Sequence, residues 1–83
     1  MSVSCVAADD FLIAAGLENG KVQVFNRLTG ECDLLFVAHG GMVTALQVSD
    51  AVILSAGRER RREIAGSVQI WDRGTARHVD TLR

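Results

Sequence analysis

The chain has 83 residues, a length that fits one small domain at most. A formal net charge of −1 and a charged fraction of 23% argue against a disordered segment and against a basic nucleic-acid-binding surface. No apolar run approaches the roughly 20 residues that a membrane-spanning helix needs. We therefore expect a soluble intracellular protein that does not bind membranes, in the cytoplasm or alternatively in the nucleus.

The sequence indicates neither a metal site nor a cofactor site. Cys5 and Cys32 lack the CxxC or Cys/His spacing of a zinc site, and we expect both to be buried, reduced thiols. Asp9 and Asp10 have no histidine or further carboxylate close in sequence, which favours a tight turn over a metal-ligand pair. We predict no cofactor and no metal.

An internal repeat is the main feature of the sequence. The segment GKVQVFNRLTGE, 20–31, aligns with GSVQIWDRGTAR, 66–77, and places Phe25 opposite Trp71 at a spacing of 46 residues. Within both segments apolar and polar residues alternate with a period of two, as in a β-strand. Repeats of this kind usually correspond to one supersecondary unit each.

The rest of the repeat locates an insertion. FLIAAG, 11–16, aligns with VILSAG, 52–57, at a spacing of 41 residues. The spacing therefore grows by five residues within RERRREIAG, 58–66, where the first copy has only LENG. VSCV at residue 3 matches VTAL at residue 43, a spacing of 40 that predicts one deleted residue in the turn AADD. An insertion between matching segments indicates a loop.

Four strands are predicted in each copy. In chain order their bounds are Val3–Ala7, Phe11–Ala15, Lys21–Asn26, Cys32–Val37, Val43–Val48, Val52–Ala56, Ser67–Asp72 and His78–Leu82. Turn-forming pairs such as Asn19-Gly20 and Thr29-Gly30 lie between them. The runs FLIAAG and VILSAG do not alternate, which is typical of strands buried on both faces by stacked sheets.

These residues resemble the WD40 repeat family, whose unit of about 40 to 45 residues carries a Gly-His pair early and a Trp-Asp pair at the end of its third strand. Trp71 and Asp72 match the Trp-Asp pair, and His39 stands at the histidine position. In the first copy Phe25-Asn26 replaces Trp-Asp, and the histidine position falls before residue 1. The second copy is therefore the better match.

The resemblance implies an all-β fold of WD40-type β-propeller blades, each a four-stranded antiparallel sheet. The first, degenerate blade is expected to span residues 1–38 and the second 39–83, with an arginine-rich insertion at 58–64. Closed propellers need about 4 to 8 blades. We therefore expect the chain to be part of a larger propeller, or of one completed by other chains or by copies of itself.

The resemblance also implies a hydrogen-bonded tetrad of His, Ser or Thr, Asp and Trp. His39 and Trp71 match it. The aspartate expected six residues before Trp71 is an alanine, and the same position in the first copy is Asn19. Ser55 lies next to the expected serine position. An incomplete tetrad is predicted, unless Glu63 of the insertion substitutes for the aspartate.

Candidate partner-binding residues lie in the insertion and in the loop before the second blade. In WD40 propellers the connections before the first strand and between the second and third strands open on the same face. Residues 38–42 and 58–66 are therefore expected to lie close together. Guanidinium groups bind carboxylates and phosphates through forked hydrogen bonds. The candidates are Arg58, Arg60, Arg61, Arg62, His39 and Met42.

The resemblance implies a non-catalytic scaffold that binds protein partners through this face. One alternative is phosphate or nucleic-acid binding through the insertion, which the nearly neutral net charge disfavours. Another is a regulatory or substrate-docking module of a larger enzyme. A hydrolytic triad of His39, Ser55 and Asp72 lacks a nucleophile-elbow motif, so we expect no catalytic residue.

Overall fold

Eight strands in two antiparallel sheets make up the fold. The computed structural model describes residues 2–59 and 66–82, and strands β1 to β8 span Val3–Ala8, Leu12–Leu17, Lys21–Asn26, Cys32–Val37, Val43–Val48, Val52–Gly57, Ser67–Asp72 and His78–Leu82. Strands β1-β2-β3-β4 form the first blade and β5-β6-β7-β8 the second. The all-β prediction is confirmed, and the strand bounds differ by at most two residues, at β1, β2 and β6. Within the described residues, no helix is long and apolar enough to cross a membrane.

The strand register corrects the alignment of the two copies. Ile13 pairs with Phe25 in the first blade, and Ile53 pairs with Trp71 in the second. Ile13 and Ile53 are therefore equivalent at a spacing of 40 residues, and the predicted spacing of 41 is wrong. The segments 11–16 and 52–57 are both apolar without alternation, so aligning them by residue type does not determine which residues are equivalent.

This register also corrects the insertion. The first and second strands of the two blades are related by one spacing of 40 residues, so the turn after β1 has no deletion. The connection between β6 and β7 is six residues longer than that between β2 and β3, whereas five were predicted.

One hydrophobic core runs through both blades, because β5 packs against β1 and β2. The rings of Phe36 on β4 and Trp71 on β7 lie 4.8 Å apart across the junction. The buried members of this core are Leu12, Ala14, Val22, Val24, Ala38, Val43, Ile53 and Trp71. The two sheets are therefore stacked blades of a single unit.

Equivalent side chains differ in exposure according to whether a neighbouring blade covers them. Val43 on β5 is 0% exposed, whereas its equivalent Val3 on β1 is 55% exposed. Phe36 on β4 packs against the core, whereas its equivalent Leu82 on β8 is 52% exposed. Each blade thus has one covered and one open face, and the two blades are part of a propeller that needs further blades.

The lower turns, which join the first to the second and the third to the fourth strand of each blade, form as the sequence indicates. Asp9 Oδ1 accepts the backbone N–H groups of Phe11 and Leu12 at 2.8 and 2.9 Å, which confirms the predicted turn. Cys5 is half-buried, but Cys32 on the outer strand β4 is exposed, so the prediction of two buried thiols is wrong.

Candidate functional site at the upper end of the second blade

The upper loops lie at the opposite ends of the strands and comprise, among the described residues, 18–20, 38–42, 58–59 and 66. The backbone N–H of Gly41 donates to Arg58 O at 2.8 Å, and the N–H of Arg58 donates to Met42 O at 2.9 Å. These two bonds join the loop before β5 to the start of the insertion. The structure thus brings residues 38–42 next to 58–59, as the sequence predicts.

A chain of buried side chains lies directly beneath these loops. Trp71 Nε1 donates to Ser55 Oγ at 2.9 Å, and Ser55 Oγ lies 2.9 Å from His39 Nε2. His39 Nδ1 in turn lies 3.0 Å from Glu59 Oε1. The tetrad is therefore complete, and the prediction of an incomplete one is wrong. Glu63, the predicted substitute for the acid, lies outside the described residues.

The position of the insertion explains why the acid was missed. Counting back six residues from Trp71 ends at position 65, inside the insertion and six residues short of Glu59. Counting forward from Ser55 reaches Glu59 before the insertion begins to lengthen the loop. With the corrected spacing, the first-blade equivalent of Glu59 is Asn19, and that of Ser55 is Ala15. The sequence therefore did contain a signal for the acid of the tetrad, namely a serine followed four residues later by a glutamate.

Glu59 is held by three donors. Besides His39, the backbone N–H of Gly40 donates to Oε2 at 3.2 Å and Ser67 Oγ donates to Oε1 at 2.7 Å. Burial, which raises the pKa of Glu59, is the largest single influence, but the hydrogen bonds from His39, Ser67 and Gly40 together outweigh it. The pKa of Glu59 is consequently below its ordinary value, which favours the charged carboxylate at neutral pH.

The charge on Glu59 fixes the direction of its hydrogen bond with His39, and the Trp71 indole, which can only donate, fixes the direction at Ser55. A carboxylate only accepts, so His39 Nδ1–H must donate to it. In the neutral imidazole, Nε2 then accepts the Ser55 hydroxyl proton, and Ser55 Oγ accepts from Trp71. Each polar group has a partner, and removing one would leave a buried group unpaired at a cost of about 1–3 kcal/mol.

The space for the imidazole depends on Gly57. A Cβ at this position would lie 2.4 Å from His39 Cγ and 2.6 Å from Cδ2, closer than any packed contact. The ring therefore lies against the bare backbone of β6. The equivalent residue of the first blade is Leu17, so an imidazole placed in the same way over β2 would overlap its side chain.

The order Ser55, His39, Glu59 resembles a hydrolytic triad, but the environment does not suit catalysis. Ser55 is 0% exposed, and its oxygen already bonds to Trp71 and His39, so a substrate cannot reach it. Asp72, the acid of the triad considered from sequence, lies at the lower end, where Oδ1 accepts the N–H groups of the residues two and three positions later. The tetrad therefore acts as a structural brace beneath the upper loops.

The candidate partner-binding residues fall into three groups. Arg58 is exposed and Met42 is half-buried at the upper face. The side chain of His39 is 0% exposed, so its place is in the tetrad and its assignment as a surface contact is wrong. Arg60, Arg61 and Arg62 lie outside the described residues.

The remaining residues of the structural signature belong to the first blade. Phe25 occupies the position of Trp71 and is half-buried, and Asn19 Oδ1 accepts the backbone N–H of Lys21 at 3.1 Å. Asn19 is the equivalent of Glu59, but its side chain stabilises the turn between β2 and β3.

Comparison with known proteins places this arrangement in a class. No family model matches the chain. Periodic tryptophan protein 2 of Arabidopsis thaliana is 35% identical over 74 residues, which cover 84% of this chain and 8% of that protein. The chain thus spans less than a tenth of the length of this relative.

Solved structures match the two blades over nearly their whole length. The computationally designed Ika4 protein superposes with a TM-score of 0.85 at 26% identity, covering 99% of this chain and 48% of that one. The WD40 repeats of RRP9 superpose with a TM-score of 0.81 at 20% identity, covering 96% of this chain and 24% of that one. The fold is that of two WD40-type β-propeller blades, as the resemblance of the sequence to the WD40 repeat family implied.

Proposed function

We propose that the two blades form part of a non-catalytic scaffold that binds a protein partner through the upper face, the surface carrying residues 38–42 and 58–66. The partner surface that suits this face is rich in carboxylates, because guanidinium groups bind them through forked, charge-assisted hydrogen bonds. Arg58 and the arginines that follow it in sequence would supply these contacts.

The observation that carries the proposal is the opposite orientation of two neighbouring residues. Arg58 is exposed, and its backbone is held by hydrogen bonds to Gly41 and Met42. Glu59 turns inward and uses both carboxylate oxygens within the protein. The acid next to Arg58 in sequence is therefore engaged within the protein and forms no ion pair with Arg58 among the described residues, which leaves this guanidinium available to a partner.

A charge-matched pair of variants tests this proposal. Replacing Arg58 and Arg60 by serine removes two charges from the insertion, and replacing Arg27 and Arg77 by serine removes two from the lower turns. A fluorescent decaglutamate peptide is titrated against each chain at several salt concentrations. We expect the upper variant to bind about tenfold more weakly, because two solvent-exposed ion pairs of up to about 1 kcal/mol each are lost, and the lower variant to bind nearly as wild type.

Equal loss in both variants would show attraction to overall charge and would overturn the proposed face. The same titration with inorganic polyphosphate tests the second class of ligand. If polyphosphate binds through the upper arginines and the peptide does not, the scaffold proposal is wrong and phosphate binding takes its place.

A further inference from the structure

Two arginines occupy equivalent places in the lower turns of the two blades. Arg27 follows β3 and Arg73 follows β7. Each donates its backbone N–H and its Nη1 to carbonyl groups of the turn that joins the first two strands of its own blade. The acceptors are Phe11 and Asp9 for Arg27, at 3.1 and 2.6 Å, and Ala51 and Ser49 for Arg73, at 3.2 and 2.7 Å.

Arg73 has an additional partner in the other blade. Its Nη1 also donates to Asp9 Oδ2, and its guanidinium carbon lies 5.8 Å from the centre of the Phe11 ring. The hydrogen bond from Arg73, together with those from the Phe11 and Leu12 backbone, lowers the pKa of Asp9 to about 2. The first blade therefore presents a carboxylate and an aromatic ring to the arginine of the blade that follows it.

Arg27 has the same attachment to its own blade, but it pairs with no carboxylate among residues 2–59 and 66–82. It lies on the blade whose outer face is open, as the exposure of Val3 shows. We propose that this open face docks a WD40 blade carrying an acidic residue at the position of Asp9, and that Arg27 binds this carboxylate as Arg73 binds Asp9.

A second copy of this chain does not fit the same place. In such a head-to-tail assembly the second blade of one copy would lie against the first blade of the next. Its residue at the Asp9 position is Ser49, which offers no charge to Arg27. The partner blade is therefore a different one, in the same longer chain or in another protein.

A close approach between blades supports this exclusion. A Cβ at Gly16 would lie 2.7 Å from Val43 Cγ1 of the second blade. The equivalent of Gly16 is Ala56, and the equivalent of Val43 is Val3. In a head-to-tail assembly the methyl group of Ala56 would overlap Val3. The docking blade is accordingly expected to carry glycine at this position as well as the acid.

The exclusion can be tested by removing its two causes. The S49D/A56G variant gives the second blade the acid and the glycine of the first. We expect its self-association, measured by sedimentation and light scattering, to be about tenfold or more tighter than that of the wild-type chain. The uncharged control S49N/A56G should lack this gain, and adding Arg27→Glu to S49D/A56G should abolish it.

Two results would overturn the proposal. One is folded S49D/A56G that associates no more tightly than the wild-type chain, and the other is a gain that persists with Arg27→Glu. Circular dichroism and thermal unfolding establish folding for each chain. If S49D/A56G does not fold, Ser49→Asp alone is compared with its Arg27→Glu double variant. Because all these residues lie at the lower or inner surfaces, the outcome is independent of peptide binding at the upper face.

Discussion

The two blades share one backbone plan but stabilise their upper ends by different means. In the second blade a tryptophan, a serine, a histidine and a glutamate form a buried hydrogen-bonded chain that ends at the root of the insertion. The first blade has apolar residues at the serine and tryptophan positions and Asn19 at the glutamate position, and it closes with a three-residue connection. The equivalent pairs are Ala15 and Ser55, Leu17 and Gly57, and Phe25 and Trp71.

This difference shows what the tetrad contributes. A short connection needs little support, because its ends are already held by the strands, and the first blade retains its strands without the network. The second blade has a connection six residues longer, and Glu59 and Ser67 hold its two ends together. The buried polar chain thus accompanies the long loop and fixes the residues from which that loop starts and ends.

The largest expected effect is the difference in unfolding free energy between variants at the two equivalent aromatic positions, Trp71 and Phe25. Trp71→Ala removes a buried ring that packs on Phe36 and donates to Ser55, and it should cost about 3–5 kcal/mol of unfolding free energy. Phe25→Ala removes a half-buried ring without a polar partner and should cost about 1–2 kcal/mol. Urea denaturation of both variants measures the difference, and equal losses would show that the two blades use their aromatic residues alike.

The next effect concerns the serine. Ser55→Ala leaves the Trp71 indole N–H and an imidazole nitrogen of His39 unpaired, so it should destabilise the chain by about 1–3 kcal/mol. The reciprocal change Ala15→Ser buries a hydroxyl without those partners and should also destabilise it. Denaturation midpoints of both variants give the result. A stabilising Ala15→Ser would mean that the first blade retains a polar site that the structure does not explain.

The smallest effect is the pH dependence of Glu59. Its pKa is lower in the folded than in the unfolded chain, so its contribution is full above the ordinary pKa and is lost as the pH falls through the folded value. Glu59→Gln should cost about 1 kcal/mol at neutral pH and should flatten the loss of stability below about pH 4.5. Unfolding at a series of pH values tests this, with exposed Glu31→Gln as the control. An unchanged acid limb in Glu59→Gln would contradict the proposed role.

Much of the fold could be predicted from the sequence because strand patterns are local. The period of two around Val22 and Val68 and the glycines of the turns locate the strands without knowledge of the neighbours. The register of β2 against β6 could not be fixed in this way. Both runs are apolar on both faces, and only their pairing with Phe25 and Trp71 shows which residues are equivalent.

The site was predictable in part for a related reason. His39 and Trp71 stand in recognisable sequence positions, but Ser55 and Glu59 were displaced in the alignment by an error of one residue and by the insertion. That Glu59 points inward while Arg58 points outward depends on which donors lie beneath the loop, namely His39, Gly40 and Ser67. Such three-dimensional neighbours are not adjacent in the sequence.

Because the imidazole needs the bare backbone of Gly57, the first blade could acquire the network only through several substitutions together. To acquire the network, the first blade would need glycine in place of Leu17, serine in place of Ala15 and tryptophan in place of Phe25. Leu17→Gly alone leaves a cavity, and Ala15→Ser alone buries an unpaired hydroxyl. Each single step lowers stability before the set is complete, so the loss of the network from such a blade is hard to reverse.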